Sequence, residues 1–161
     1  LGLRRGEISR LNVEDWNHDE GTLLVDGRKT GRERRLATAE LVYHCLETYL
    51  PQRQNHLTAL GVVDESALFV NRDGERLSAH AISQGIHRLA RRVQVPLVSL
   101  HQFRHTCASD LLEAGVRLPE VQRMLGHQAI STTVRYLHFS DPQRRAAVDR
   151  HPLNDWLEGV A

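Results

Sequence analysis

Thr22-Leu23-Leu24-Val25, Asp26-Gly27-Arg28-Lys29-Thr30-Gly31-Arg32 and Glu33-Arg34-Arg35-Leu36-Ala37 follow one another without a break. The first and last pieces read as short strands, and Gly27 and Gly31 supply the turn chemistry between them. The expectation is an antiparallel hairpin with strands at 22–25 and 33–37. Its tip is basic: Arg28, Lys29, Arg32, Arg34 and Arg35 crowd together with only Glu33 opposing them. Lys29 is also the only lysine among 21 basic residues, so a lysine at this spot asks for an explanation that an arginine would not.

Outward from the hairpin the pattern turns helical. Towards the N-terminus, Ile8 and Leu11 mark a helix over 4–11, followed by a polar turn over 15–21 that carries Trp16. Towards the C-terminus, Thr38 is placed to cap a helix whose apolar face is Leu41, Val42, Cys45, Leu46, Tyr49 and Leu50, with Pro51 ending it. Residues 52–65 read as a polar connection, 67–70 as a third short strand and Asn71 to Gly74 as a turn. Ser78 caps a helix with Ile82, Ile86, Leu89 and Val93 on one face and Arg88, Arg91 and Arg92 on the other. Pro96 closes it. A helix over 102–114 follows, with Phe103, Cys107, Leu111 and Leu112 inward and Gly115 past its end. Pro119 opens a short helix through Val121, Met124 and Leu125 that stops at Gly126. Residues 131–138 and 142–150 also read as helical, and Leu153, Trp156 and Leu157 need a surface to rest on. The fold class is therefore mainly α with a small antiparallel sheet of about three strands.

A chain of 161 residues has room for one domain, so 1–161 is read as a single unit. With 40% hydrophobic and 25% charged residues, neither disorder nor a fibrous repeat is expected. No apolar run approaches a membrane span, and the N-terminus has no apolar signal core. Two cysteines, Cys45 and Cys107, make no disulfide framework and no zinc pattern, which suggests a reducing compartment and a cytoplasmic location. The net charge of +1 excludes a uniformly basic coat but not a local basic site. The absence of an initiator methionine reads as a piece of a longer protein.

Three stretches place reactive side chains where a core needs none. In Leu3-Arg4-Arg5-Gly6-Glu7, Arg4 sits at a helix start, where it can pair with Glu7 or grip an anion. In His101-Gln102-Phe103-Arg104-His105, positions 101, 104 and 105 share a helical face. The i, i+4 histidines invite a zinc reading, but Gln102 replaces the glutamate of a His-Glu-x-x-His site and no third ligand is evident, so no metal is assigned. In Leu125-Gly126-His127 and onward to Tyr136, a histidine projects from a turn and a tyrosine from the next helix. Tyr43 and Tyr49 are better suited to packing.

Together these residues carry a resemblance. Leu3-Arg4-x-x-Glu7, then His101-x-x-Arg104-His105, then Leu125-Gly126-His127 with Tyr136 nine residues later, in that order and with Lys29 on a hairpin between the first two, resembles the tyrosine recombinase (phage integrase) family, near its Xer and transposon-integrase members. The resemblance implies the catalytic-domain fold of that family, with helices and an N-terminal core-binding domain outside this chain. It implies a site-specific recombinase that breaks and rejoins double-stranded DNA through a 3′-phosphotyrosine, without metal, ATP or other cofactor, acting as further copies of itself assembled on DNA. Arg4 and Arg104 would bind the scissile phosphate, Tyr136 would attack it, and Lys29 would protonate the leaving 5′-oxygen. His101 would act as general base or relay, and His127 would hydrogen-bond the phosphate. Glu7 and His105 would orient the site. Arg28, Arg32, Arg34 and Arg35, with Arg88, Arg91 and Arg92, are expected to hold DNA.

The chemistry of these residue types suits such roles. A phosphodiester under attack gains charge on its equatorial oxygens, which fixed guanidiniums stabilise. A tyrosine hydroxyl, with a pKa of about 10, needs nearby cations and a base. An arginine cannot give up its proton at useful pH, whereas a lysine crowded by cations can. Two other readings remain: a DNA-binding remnant without activity, and a small-molecule phosphoryl-transfer enzyme, against which the missing glycine-rich phosphate loop speaks.

Overall fold

The computed structural model describes residues 1–27, 33–63 and 65–126. Helix α1 (Arg5–Arg10) leads through a 3-10 turn (Val13–Asp15) into a three-stranded antiparallel sheet, β1 (Trp16–Asn17), β2 (Thr22–Val25) and β3 (Arg34–Ala37), in that spatial order. Helices α2 (Glu40–Leu60), α3 (Ala79–Arg92), α4 (Leu100–Glu113) and α5 (Leu118–Leu125) follow.

The expected hairpin strands are present, paired Leu23 to Leu36 and Val25 to Arg34. The third strand is not the one the sequence suggested. It is Trp16–Asn17, inside the stretch read as a polar turn, with Trp16 opposite Leu23. Trp16, Leu23 and Leu36 thus form one row across the sheet, and all three are buried. Residues 67–70 form no strand. Ala67 makes an isolated bridge to Asn12 and Val70 another to Arg76. The carbonyls of Glu65 and Ala67 are taken instead by the buried guanidinium of Arg53, at 2.5 and 2.9 Å.

Arg53 lies on α2, which corrects a second expectation. The helix runs through Pro51 and includes residues read as a connection. A proline removes one i to i−4 bond and crowds the preceding turn, but tertiary contacts on both sides hold the helix together. Leu46 is buried before Pro51, and Arg53 and Leu57 after it. Thr38 does not cap α2. Its hydroxyl donates to the Gly21 carbonyl at 2.9 Å, joining the helix start to the β1–β2 turn.

The main core gathers Leu11, Trp16, Leu23, Val25, Leu36, Leu46 and Leu68, with Val42, Tyr43 and Leu50 of α2 packed against it. Leu41 and Cys45, expected on that face, are exposed. A second cluster, Ala108, Val121 and Leu125, joins α4 to α5. Helix α3 has its expected Ser78 cap, accepting from the Ala81 N–H at 3.1 Å, but Leu89 and Val93 stand exposed while Ala90 is buried. Helix α4 begins slightly earlier than expected, at Leu100, with Ser99 and Gln102 in a reciprocal capping box. Phe103 on it is half exposed. Among the described residues, no helix is long and apolar enough to cross a membrane.

Candidate active site

Arg4 is the N-cap of α1, and Glu7, three residues on, folds back to it. The Glu7 carboxylate accepts the Arg4 backbone N–H at 2.7 Å and an Arg4 guanidinium N–H at 2.9 Å. From β3, Arg34 adds two parallel bonds to the same carboxylate at 3.2 and 3.0 Å. Glu7 is only 5% exposed. Burial alone would raise its pKa. The hydrogen bond from Arg34, the Arg4 backbone N–H, the charge of Arg34 and the hydrogen bond from the Arg4 side chain outweigh that and hold it below the ordinary 4.5.

The same arginines meet again at the end of α5. Arg34 Nε donates to the Met124 carbonyl at 2.7 Å. Arg104, from α4, donates to the next carbonyl, Leu125. Arg4 donates to the one after, Gly126, at 2.9 Å. The last carbonyls of a helix have no partner within it and carry the negative end of its dipole, so a run of guanidiniums is well matched there. Arg104 also donates to the Gly2 carbonyl at 2.6 Å, which ties α4 to the segment carrying Arg4. Three arginines therefore converge on the end of α5, and two of them, Arg4 and Arg34, share the one buried carboxylate, leaving a local excess of positive charge.

Two glycines permit this convergence. Gly126 has φ +65°, and a Cβ there would stand 2.9 Å from an Arg34 nitrogen. Gly2 has φ +61°, and a Cβ would meet Leu125 at 2.5 Å. A side chain at either position would be strained by the left-handed backbone and would push its neighbour aside.

Arg4, Arg104 and His101 line one cavity of about 330 Å³, with Arg5, Ser83, Ser99 and Leu100. Arg104 is 3% exposed and Arg4 34%, so one guanidinium forms the floor and the other the rim. His101 and His105, one helical turn apart, face each other Nε2 to Nε2 at 2.9 Å, with rings edge to face. In a contact between two ring nitrogens one must donate and the other accept, so the tautomers of the two rings are linked.

The arginines expected to hold DNA divide. Arg88, Arg91 and Arg92 are exposed on α3. Arg35 is exposed and paired with Glu20 at 2.5 Å. Arg34 departs from the expectation of an outward hairpin arginine: its side chain is 10% exposed and turned in to Glu7 and α5. Strand alternation explains this, because Arg34 shares a sheet face with the buried Leu36 while Arg35 points the other way. Arg28, Lys29, Arg32, His127 and Tyr136 lie outside the described residues. Among those described, no group of three or more His, Cys, Asp or Glu is arranged to hold a metal.

A sequence profile of the phage integrase family matches residues 1–143. The chain belongs to the phage integrase family. This integrase-family chain is 35% identical over 148 residues to the tyrosine recombinase XerC of Bifidobacterium longum (strain DJO10A), covering 88% of this chain and 41% of the relative. Its fold superposes on the crystal structure of XerA recombinase with a TM-score of 0.78 at 28% identity, covering 93% of this chain and 53% of that one. It also superposes on the Tn1549 transposon integrase in complex with transposon right end DNA, at a TM-score of 0.76 and 20% identity, covering 92% and 55% of the two chains. The fold is that of the tyrosine recombinase catalytic domain. The chain spans 41% to 52% of the length of the first three curated relatives it matches.

Proposed function

We propose that this chain carries the strand-cleaving centre of a site-specific DNA recombinase. The observation that supports it most directly is the meeting of Arg4, Arg104 and His101 at one cavity, beside the carbonyl of Gly126, to which His127 is joined in the chain. Two guanidiniums lining one cavity suit a site for a phosphate diester. The reading is strengthened by family membership and by the DNA held in the transposon integrase of like fold.

In the proposed reaction Arg4 and Arg104 hold the two non-bridging oxygens of the scissile phosphate. The Tyr136 oxygen attacks phosphorus and forms the P–O bond of a 3′-phosphotyrosine. Its proton passes to His101, and His105 stabilises the resulting imidazolium. The P–O5′ bond breaks, and Lys29 gives a proton to the departing oxygen. His127 adds a hydrogen bond to the phosphate as charge builds on it. One P–O bond is exchanged for another, so the strand can be rejoined to a new 5′-hydroxyl without ATP. Guanidiniums supply the charge that a metal would otherwise provide. Copies of the protein on paired DNA sites would make the exchange in the cytoplasm, at the nucleoid, and Arg35, Arg88, Arg91 and Arg92 would contact the backbone.

The test is incubation of the chain with nicked duplexes of randomised sequence, in which loss of a short 5′ product traps the covalent state. A protein–DNA adduct is expected, absent in Tyr136→Phe and insensitive to EDTA. Retention of DNA without an adduct would reduce the chain to a binding module. Hydrolysis of simple phosphate esters with indifference to DNA would point to small-molecule phosphoryl transfer.

A further inference from the structure

We infer that Arg34 is a positioning residue of the cleft, fixing the guanidinium of Arg4 by sharing its carboxylate and bonding the same helix end; this rests on the phosphate-binding reading above. Arg4 has two anchors, the Glu7 carboxylate and the end of α5 at Gly126. Arg34 forks on the same carboxylate and bonds a different carbonyl of the same helix end, Met124, two residues before Gly126. It also packs against Gly126 so closely that a Cβ there would stand 2.9 Å from its guanidinium.

Sharing has a mechanical consequence. A carboxylate carries about four acceptor positions, and the Arg34 fork occupies the side of Glu7 that Arg4 does not. With that side filled, Arg4 is held at the rim of the cavity. With Arg34 removed, the buried carboxylate lacks its main partner and draws the Arg4 guanidinium inward, away from where a phosphate oxygen would lie. The Met124 bond sets the end of α5, and so the carbonyl on which Arg4 rests. Lysine cannot substitute, because one ammonium cannot supply a planar fork and a third bond in another direction.

Glu7 faces Arg4 at the head of its own helix and Arg34 from β3. The adjoining cavity adds Arg5 and Arg10 of α1, Asp26 and, from α3, His80. Those neighbours are common to wild type and variant, so a difference between their pH profiles reports on Glu7. Losing the Arg34 fork leaves burial as the dominant influence and raises the Glu7 pKa.

The experiment uses the duplex recovered from the adduct selection and compares wild type, Arg34→Lys, Arg34→Ala and Arg4→Ala. DNA affinity, single-turnover adduct formation from about pH 4.5 to pH 8 and circular dichroism are measured together. For Arg34→Lys, affinity is expected to stay within about threefold of wild type while cleavage slows about 10- to 100-fold, the scale of a displaced catalytic group. The acid limb of its profile should move to higher pH. A substrate with a neutral methylphosphonate at the scissile position needs less cationic charge. It should narrow the gap to wild type for Arg34→Lys and Arg4→Ala alike. Wild-type cleavage by Arg34→Lys overturns the inference. So does slow cleavage with an unmoved acid limb and no narrowing, or loss of folding in both Arg34 variants, either of which makes Arg34 a stability residue only. If wild type forms no Tyr136-dependent adduct, the recombinase reading itself falls. If wild type cleaves and Arg4→Ala does not, while the Arg34 variants are normal, only the Arg34 inference falls.

Discussion

Arg4 divides its guanidinium between Glu7 and the Gly126 carbonyl and still faces a cavity lined by Arg104 and His101. Removing one fixed cation from such a centre lowers turnover by about 100- to 1,000-fold. Arg4→Ala should show that loss in adduct formation, measured in single turnover, with a much smaller change in DNA affinity. Lys29→Ala should bind DNA and fail to cleave it, and a substrate with a 5′-sulfur leaving group, which departs without a proton, should restore cleavage. Glu7 makes a stability prediction with a definite sign. Its folded pKa lies below the ordinary 4.5, so the stabilisation is present above about 4.5 and is lost as pH falls through the lowered value. Melting temperatures of wild type should fall across that acid range, and Glu7→Gln should lack that part of the fall. At neutral pH Glu7→Gln should destabilise by about 3 kcal/mol, because it leaves the buried Arg34 without its carboxylate. Equal stability of the two proteins at neutral pH would contradict this.

At the scale of the elements, α2 carries Pro51 on its exposed side with buried residues before and after it. Alanine there returns a backbone N–H to the helix, and Pro51→Ala should raise stability by about 1–3 kcal/mol in urea unfolding. The sequence hid this because a proline is the strongest local stop signal, whereas the contacts that keep the helix going are made by Arg53 and Leu57 to segments far away. The same blindness applies to Trp16–Asn17, a strand of two residues too short to show alternation, and to 67–70, whose backbone groups are divided among Arg53, Leu11, Leu77 and Tyr49. Local patterns did mark the hairpin strands, the Ser78 cap and the stop at Gly126, because turn glycines, a hydroxyl cap and a left-handed residue act within a few positions. Of the site, the order and spacing of Arg4, Glu7, His101, Arg104 and His105 were legible. The direction of Arg34 was legible in principle, since it stands two residues from Leu36 on one strand, but charge made it look like a surface residue.

Over the whole molecule the net charge is only +1, so the DNA binding proposed above would come from clustered arginines rather than from the total. Affinity should fall linearly with salt on a log–log plot. Replacing Arg88, Arg91 and Arg92 with alanine should flatten that slope by about 0.9 for each phosphate that the protein no longer neutralises. An unchanged slope would place the DNA path elsewhere. The site is also assembled across almost the full described length: Arg4 reaches Gly126, 122 residues later, and Arg104 reaches back to Gly2. A polypeptide still emerging from the ribosome has Arg4 in hand but not the carbonyl that steadies it. The bond from Arg4 to Gly126 therefore forms only after synthesis has passed the end of α5, so the arginine cleft is among the last features of the described fold to be completed.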